Sequence, residues 1–170
     1  MNAQLFHGGT IVLLPRFDPM AVLNTFVAEK INLFSGVPTM FWALIAAVRQ
    51  GNIDTAPIRA NLRLCSSGGA AIAVEVLKEF EELFGVSIME GYGLSETSPV
   101  ATFNQIDIGR KVGSIGVPIW GVEVRVVDDQ DKDVPVNEPG EVIIRGHNIM
   151  KGYYKRPEAT AEAAEDVGEG

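Results

Sequence analysis

The sequence predicts an α/β chain: a doubly wound, mainly parallel sheet followed by a smaller β-rich lobe. Two observations carry this expectation. Up to about residue 112, short β-rich apolar runs alternate with segments of helical periodicity, as in strands joined by helical crossovers. From about residue 113 that alternation stops, and strand patterns separated by polar turns replace it. The expected division is therefore 1–112 and 113–170. No repeat at a fixed period and no low-complexity tract interrupts either part.

Each element has its own signal. Thr10 to Leu14 reads as a strand closed by Pro15. Asp18-Pro19 supplies an N-cap and a proline at the first helical position, with Val22, Leu23, Phe26 and Val27 on one face of the helix that follows. Ile31 to Phe34 reads as the next strand, and Gly36-Val37-Pro38 starts a helix that is apolar around much of its circumference. Asn61 to Cys65 alternates polar and apolar residues, the mark of a third strand. Ala73, Val76, Leu77, Phe80, Leu83 and Phe84 then recur at intervals of three and four, opposite Glu75, Lys78, Glu79, Glu81 and Glu82. Gly85 ends this helix, and Val86 to Met89 resumes as a strand. Further on, Val122, Val124 and Val126 alternate with Glu123 and Arg125, Asp128 to Asp133 is a polar turn, and Gly140 to Arg145 is a second strand.

Composition excludes several functions. Of 170 residues, 46% are hydrophobic and 21% charged, and 14 Lys and Arg against 22 Asp and Glu leave a net charge of −8. Residues 1–85 hold 6 basic and 7 acidic side chains and residues 86–170 hold 8 and 15, so the excess acid lies in the C-terminal half. Such a chain has no basic stripe to displace counterions from nucleic acid, and its acidic surface repels anionic lipid. Its longest apolar stretch, Met40 to Val48, is far short of the roughly 20 residues that span a bilayer. No charged and then apolar secretory signal opens the chain, and the single cysteine, Cys65, has no partner for an internal disulfide or a shared metal. A cytoplasmic protein is the expectation.

Three segments can carry chemistry. Ser66-Ser67-Gly68-Gly69-Ala70 lies between an expected strand and an expected helix. It reads either as a tight turn or as a backbone open to a flat ligand, since glycines lack the Cβ that keeps ligands away. It is no Walker phosphate loop, because Gly-Lys-Ser/Thr does not follow. Glu90-Gly91-Tyr92-Gly93-Leu94-Ser95-Glu96-Thr97 follows the strand Val86 to Met89 and falls at the carboxyl edge of the sheet. There Tyr92, flanked by Gly91 and Gly93, offers a face for stacking a base, Ser95 a hydroxyl for a phosphate oxygen, and Glu96 a hard oxygen ligand for Mg²⁺. The alternatives are a space-filling Tyr92 and a Ser95 that merely caps a turn. Ser95 lacks the closing glycine of a nucleophile elbow, and His7 and His147 lie in unrelated contexts, so neither a serine triad nor a histidine metal site is supported. The third segment, Gly140 to Gly146 with Met150 to Thr160, reads locally as strand, turn and helix start, with Glu141 and Arg145 on one strand face and free to pair.

Together, in this order and at these separations, the three segments resemble the AMP-forming acyl-coenzyme A synthetases of the adenylate-forming ligase superfamily. Ser67-Gly68-Gly69-Ala70 is similar to that family's adenine-side loop and Tyr92-Gly93-Leu94-Ser95-Glu96 to its Tyr-Gly-x-Thr-Glu signature. Gly113 to Pro118, with Gly140 to Thr160, resembles its downstream block around Gly-Glu-x-x-x-x-Gly and Gly-Tyr-x-x-x-Pro-Glu-x-Thr. Gly36-Val37-Pro38-Thr39-Met40 looks like the segment beside the acyl and pantetheine channel of fatty-acid members, and Leu5 to Gly9 like the end of a family helix.

The resemblance implies a fatty acid–CoA ligase that uses ATP, Mg²⁺ and coenzyme A. A carboxylate attacks the α-phosphate of ATP to give an acyl-adenylate and pyrophosphate, and the thiol of coenzyme A then displaces AMP. It implies that Gly68, Gly69 and Ala70 lie against adenine, Tyr92 stacks on it, Glu90 reaches its amino edge, Ser95 binds the α-phosphate and Glu96 holds Mg²⁺. Ser95 stands where the signature usually has Thr. The family's Ser/Thr/Gly-rich phosphate loop, its Thr-Gly-Asp segment and the lysine of its C-terminal domain have no counterpart in these residues. The expectation is thus an internal fragment of the large N-terminal domain, inactive by itself and prone to self-association through exposed apolar surface. An amino-acid or aryl-acid adenylating domain and a non-catalytic nucleotide-binding module are the alternatives.

Overall fold

The computed structural model describes residues 2–164. They form two compact units, Met1–Met89 and Glu90–Gly170, so the division falls before the change of sequence pattern at about residue 113.

The first unit opens with helix α1 (Asn2–Phe6). Thr10 to Leu14, expected as a strand, has no regular structure. No described strand pairs with it and Leu13 is 73% exposed, so neither a ladder nor packing holds it in a sheet. Helix α2 (Pro19–Ala28) begins as its residues dictate: Asp18 is extended, its carboxylate accepts the Ala21 N–H at 2.8 Å, and Pro19 stands in the first turn. It buries Val22, Leu23 and Phe26, whereas Val27, expected on the same face, points outward at 43% exposure.

Strand β1 (Leu33–Gly36) leads into α3 (Pro38–Gly51), which buries Phe41, Leu44, Ile45 and Val48 at helical spacing and stops at a left-handed Asn52. The short α4 (Ala56–Arg59) has no counterpart in the sequence reading, because four residues are too few to display a period. Its closing turn draws in Leu62, whose N–H donates to Ile58, and this delays strand β2 to Leu64–Ser67 instead of Asn61 to Cys65. The β1–β2 pair is parallel, from Leu33 opposite Leu64 to Gly36 opposite Ser67.

Helix α5 (Val74–Phe84) follows its periodicity and ends at Gly85, whose φ of +67° is the left-handed cap that glycine adopts without strain. A row of rings knits these elements together. Phe26 meets Phe34 edge-on at 5.2 Å, Phe34 meets Phe41 at 5.4 Å, Phe41 meets Phe80 at 5.0 Å, and Phe80 stacks on Phe84 at 4.3 Å. Strand β3 (Ile88–Tyr92) comes third in the order β1-β2-β3, with Ile88 and Met89 buried. The expected strand was Val86 to Met89, but Gly91 and Tyr92 find ladder partners in Phe103 and Thr102, so Glu90, Gly91 and Tyr92 lie in the strand and not in a loop after it.

In the second unit, β3 continues antiparallel to β4 (Thr102–Phe103), and β4 pairs antiparallel with β5 (Val117–Pro118). The sheet is therefore mixed: its parallel part is the crossover-joined part, and β3 to β5 reverse. Residues 93–101 are too short a connection for a parallel crossover, which needs about a dozen residues or more. The hairpin strands β6 (Val122–Val127) and β7 (Glu141–Gly146) pair in register from Val122 opposite Gly146 to Val127 opposite Glu141. Asp128 organises the turn by accepting the N–H groups of Gln130 and Lys132. Glu141 and Arg145 form no ion pair among the described residues. At about 3.3 Å per residue, four strand positions hold them too far apart. Helix α6 (Pro157–Ala163) follows, and no described helix is long and apolar enough to cross a membrane.

Candidate functional site

In the first unit, the glycine turn leaves the carboxyl end of β2. Gly69 has φ +79° and Gly69 and Ala70 are exposed, so this backbone is both conformationally special and open. Just before it, the Ser35 and Ser66 hydroxyls of the paired strands lie 2.7 Å apart. The next hydroxyl, Ser67 Oγ, is buried with no hydrogen-bond partner among the described residues. Cys65, two residues earlier in the strand, is fully buried, and its thiol is pushed up to about 12 by burial, which makes it an inert core residue.

In the second unit, Glu90 is 7% exposed and already engaged. Its carbonyl accepts the backbone N–H and the side-chain amide of Asn104, at 2.9 and 3.0 Å, and its carboxylate accepts the Gly113 N–H at 3.3 Å. Its side chain is thus turned to Gly113, whereas the resemblance assigns it to an adenine edge. Gly91 and Gly93 serve space: a Cβ on Gly91 would strike the Phe103 ring, and one on Gly93 would collide with the Pro99 carbonyl oxygen. Tyr92, between them, is half-buried and its carbonyl accepts the Ala101 N–H at 2.9 Å.

Ser95 and Glu96 open a single turn of 3₁₀-helix, Ser95–Thr97. Thr97, which the sequence reading did not single out, holds that turn: its buried hydroxyl accepts the Leu94 N–H at 2.8 Å and lies 3.1 Å from the Pro99 carbonyl. Ser95 is left exposed at the turn's head. It bonds neither histidine: His147 approaches the Gly121 carbonyl and His7 packs on the Phe6 ring edge.

Glu96 is held by a segment 50 to 60 residues downstream. Its carbonyl accepts the Met150 N–H at 2.8 Å, and its Oε1 accepts the Tyr153 hydroxyl at 2.5 Å. The side-chain amide of Asn148 donates to the Val100 carbonyl at 2.7 Å, on the far side of the same turn. Tyr153 stood in the sequence as part of the downstream block; nothing local marked it as the partner of Glu96.

The phenol's hydrogen bond, then a backbone hydrogen bond, hold the Glu96 carboxyl below its ordinary range against a small opposing desolvation. The same bond pushes the Tyr153 phenol up, because ionisation would remove the proton it donates to Glu96; desolvation and the nearby carboxylate charge act in the same direction. The folded value of Glu96 lies below the unfolded one. The contact therefore adds stability above the unfolded value and loses it as pH falls through the folded one. A carbon-13 NMR titration is expected to find the Glu96 carboxyl ionising below the ordinary carboxylate range, and Tyr153→Phe to return it toward that range.

Among the described residues, no three His, Cys, Asp or Glu side chains stand together as a metal cage. Glu96 is the carboxylate of this segment that could take part in holding Mg²⁺, a cation that takes one or two carboxylates and completes its shell with phosphate oxygens and water.

Comparison with known proteins agrees with these features. The family model for AMP-binding enzymes matches residues 1–154. A feruloyl-CoA synthase from Amycolatopsis sp is 38% identical over 163 residues, covering 95% of this chain and 32% of that protein. A long-chain-fatty-acid–CoA ligase from Bacillus subtilis (strain 168) is 37% identical over 167 residues, covering 98% of this chain and 29% of that protein. Among solved structures, ATP-bound MatB from Rhodopseudomonas palustris superposes with a TM-score of 0.87 at 31% identity, over 98% of this chain and 32% of that one. The chain spans about a third of the length of these relatives. With the glycine turn after β2, the Tyr92 to Glu96 segment at the end of β3 and a family match over residues 1–154, this chain belongs to the AMP-binding enzyme family.

Proposed function

We propose that this chain is part of an ATP-dependent, AMP-forming ligase that joins a fatty acid to coenzyme A. The observation that carries the reading is the 3₁₀ turn Ser95–Thr97, in which the exposed Ser95 is followed directly by Glu96, whose carboxylate accepts the Tyr153 hydroxyl. In the reaction, a carboxylate oxygen attacks the α-phosphorus of ATP, pyrophosphate leaves, and the coenzyme A thiol then attacks the acyl carbon and expels AMP.

Each segment has a part in this. The open backbone of Gly68, Gly69 and Ala70 suits the flat adenine, and Tyr92 offers a ring for stacking. Ser95 donates its hydroxyl to an α-phosphate oxygen, where charge gathers as the new bond forms. Glu96 is the residue that would hold Mg²⁺, which when bound offsets phosphate charge. The chain contains no Ser/Thr/Gly-rich phosphate loop, so the 170 residues alone are proposed to bind nucleotide weakly and not to turn it over.

The acid is proposed from the long-chain-fatty-acid–CoA ligase relative and from the Gly36 to Met40 segment at the start of α3. The feruloyl-CoA synthase relative supports an aryl acid as the second reading. Pyrophosphate release with fatty and aryl acids separates the two.

Calorimetric titration of the chain with Mg²⁺·ATP and with AMP tests the nucleotide site. The expected result is weak binding that Tyr92→Ala diminishes by about 1–3 kcal/mol, the range for a base stacked on an aromatic ring. Binding unchanged by the substitution would remove Tyr92 from the site.

A further inference from the structure

Tyr153 is fixed before it reaches anything. Gly152, at φ +139°, packs so tightly that a Cβ there would lie 2.8 Å from the Thr160 methyl. The Tyr153 N–H donates to Thr160 Oγ1 at 2.9 Å, and that hydroxyl in turn donates to the Arg156 carbonyl at 2.8 Å, at the start of α6. Glycine, tyrosine and threonine of the downstream block are thus one device that aims the phenol.

The phenol's target is a side-chain atom. The Met150 N–H already ties down the Glu96 backbone, and Asn148 ties down Val100. The Tyr153 hydroxyl adds a bond to Glu96 Oε1 alone, 57 residues away in the chain. A glutamate on a surface turn has many rotamers to lose, so fixing it in advance removes a cost that a bound cation would otherwise bear. A phenol is well suited to this: it donates one proton to one carboxylate oxygen and leaves the other oxygen free to accept.

We propose that Tyr153 is a positioning residue: it holds the Glu96 carboxylate so that Oε2 is presented to a divalent cation on the nucleotide phosphates. The inference rests on the reading of Glu96 given under Proposed function. Carboxylates that ligate metals are themselves commonly hydrogen-bonded, and removing that outer partner weakens the metal about 10–100-fold.

The test uses the full 170-residue chain with carbon-13 at the glutamate carboxyls. The Glu96 resonance is assigned by its disappearance in Glu96→Gln. Mn²⁺ is then titrated in the presence of ATP, and paramagnetic broadening of that resonance marks a bound ion. Tyr153→Phe keeps the ring and removes only the hydroxyl, at a residue that is 37% exposed. It is expected to shift the Glu96 resonance before any ligand is added. It should also raise the Mn²⁺ midpoint about 10-fold while leaving metal-free ATP affinity unchanged. An unshifted resonance, or equal Mn²⁺ midpoints for the two proteins, overturns the positioning role and leaves the reading of Glu96 standing. Absence of broadening in the unsubstituted chain overturns the reading of Glu96 as the cation's carboxylate, and the positioning role with it.

Discussion

Phe80→Ala is expected to lower the stability of the first unit by about 3–5 kcal/mol, the range for removing a fully buried phenylalanine. Phe80 has no exposed surface and joins two rings of the row: it stacks on Phe84 and meets Phe41 edge-on. Phe41 belongs to α3 and Phe80 to α5, so the truncation also opens the contact between those two helices. Collapse into the cavity is limited, because the flanking rings sit on helices whose other buried residues, Leu44, Ile45 and Leu77, hold them in place. Urea unfolding followed by tryptophan fluorescence measures the loss, since Trp42 lies on α3 beside Phe41. A loss below about 1 kcal/mol, well under the range for such a cavity, would show that the ring row does not hold the unit together.

Gly93→Ala is expected to disrupt the second unit's loop, at about 3 kcal/mol or more of stability, the upper end for overpacking. Gly93 is not among the positive-φ residues, so the need for glycine there is spatial rather than conformational. A Cβ would occupy the place of the Pro99 carbonyl oxygen and lie 2.8 Å from the Val100 Cα, and backbone cannot swing aside as a side chain does. Relief requires the loop to open, which breaks the bonds from Ala101 to Tyr92 and from Thr97 to Pro99. Tyr92 ends the strand that leads into that loop, and Ser95 and Glu96 ride on it, so nucleotide affinity is expected to fall together with the thermal midpoint. An alanine variant with unchanged melting and unchanged ATP binding would contradict the steric argument. Gly69 is the opposite case: its φ of +79° demands glycine while its nearest neighbour, a Val37 methyl, is 3.8 Å from where a Cβ would lie.

What the sequence determined by itself is what local rules govern. Helices α2, α3 and α5 were legible because Asp18-Pro19, Pro38 and Gly85 punctuate apolar residues at helical spacing, and β6 and β7 because alternation flanks a polar turn. The family was legible because its motifs are contiguous runs of residue types. The tertiary structure decided what depends on a partner. Strand limits moved by two or three residues in β1 and β2, since a strand extends only where its neighbour offers a ladder, and Thr10 to Leu14 has none among the described residues. The reversal into β4 and β5 was hidden for the same reason, as two-residue strands leave no period to read. The bond from Tyr153 to Glu96 lay furthest from view. A hydrogen bond needs two groups within about 3 Å, and only folding brings residues so far apart in the chain to that distance.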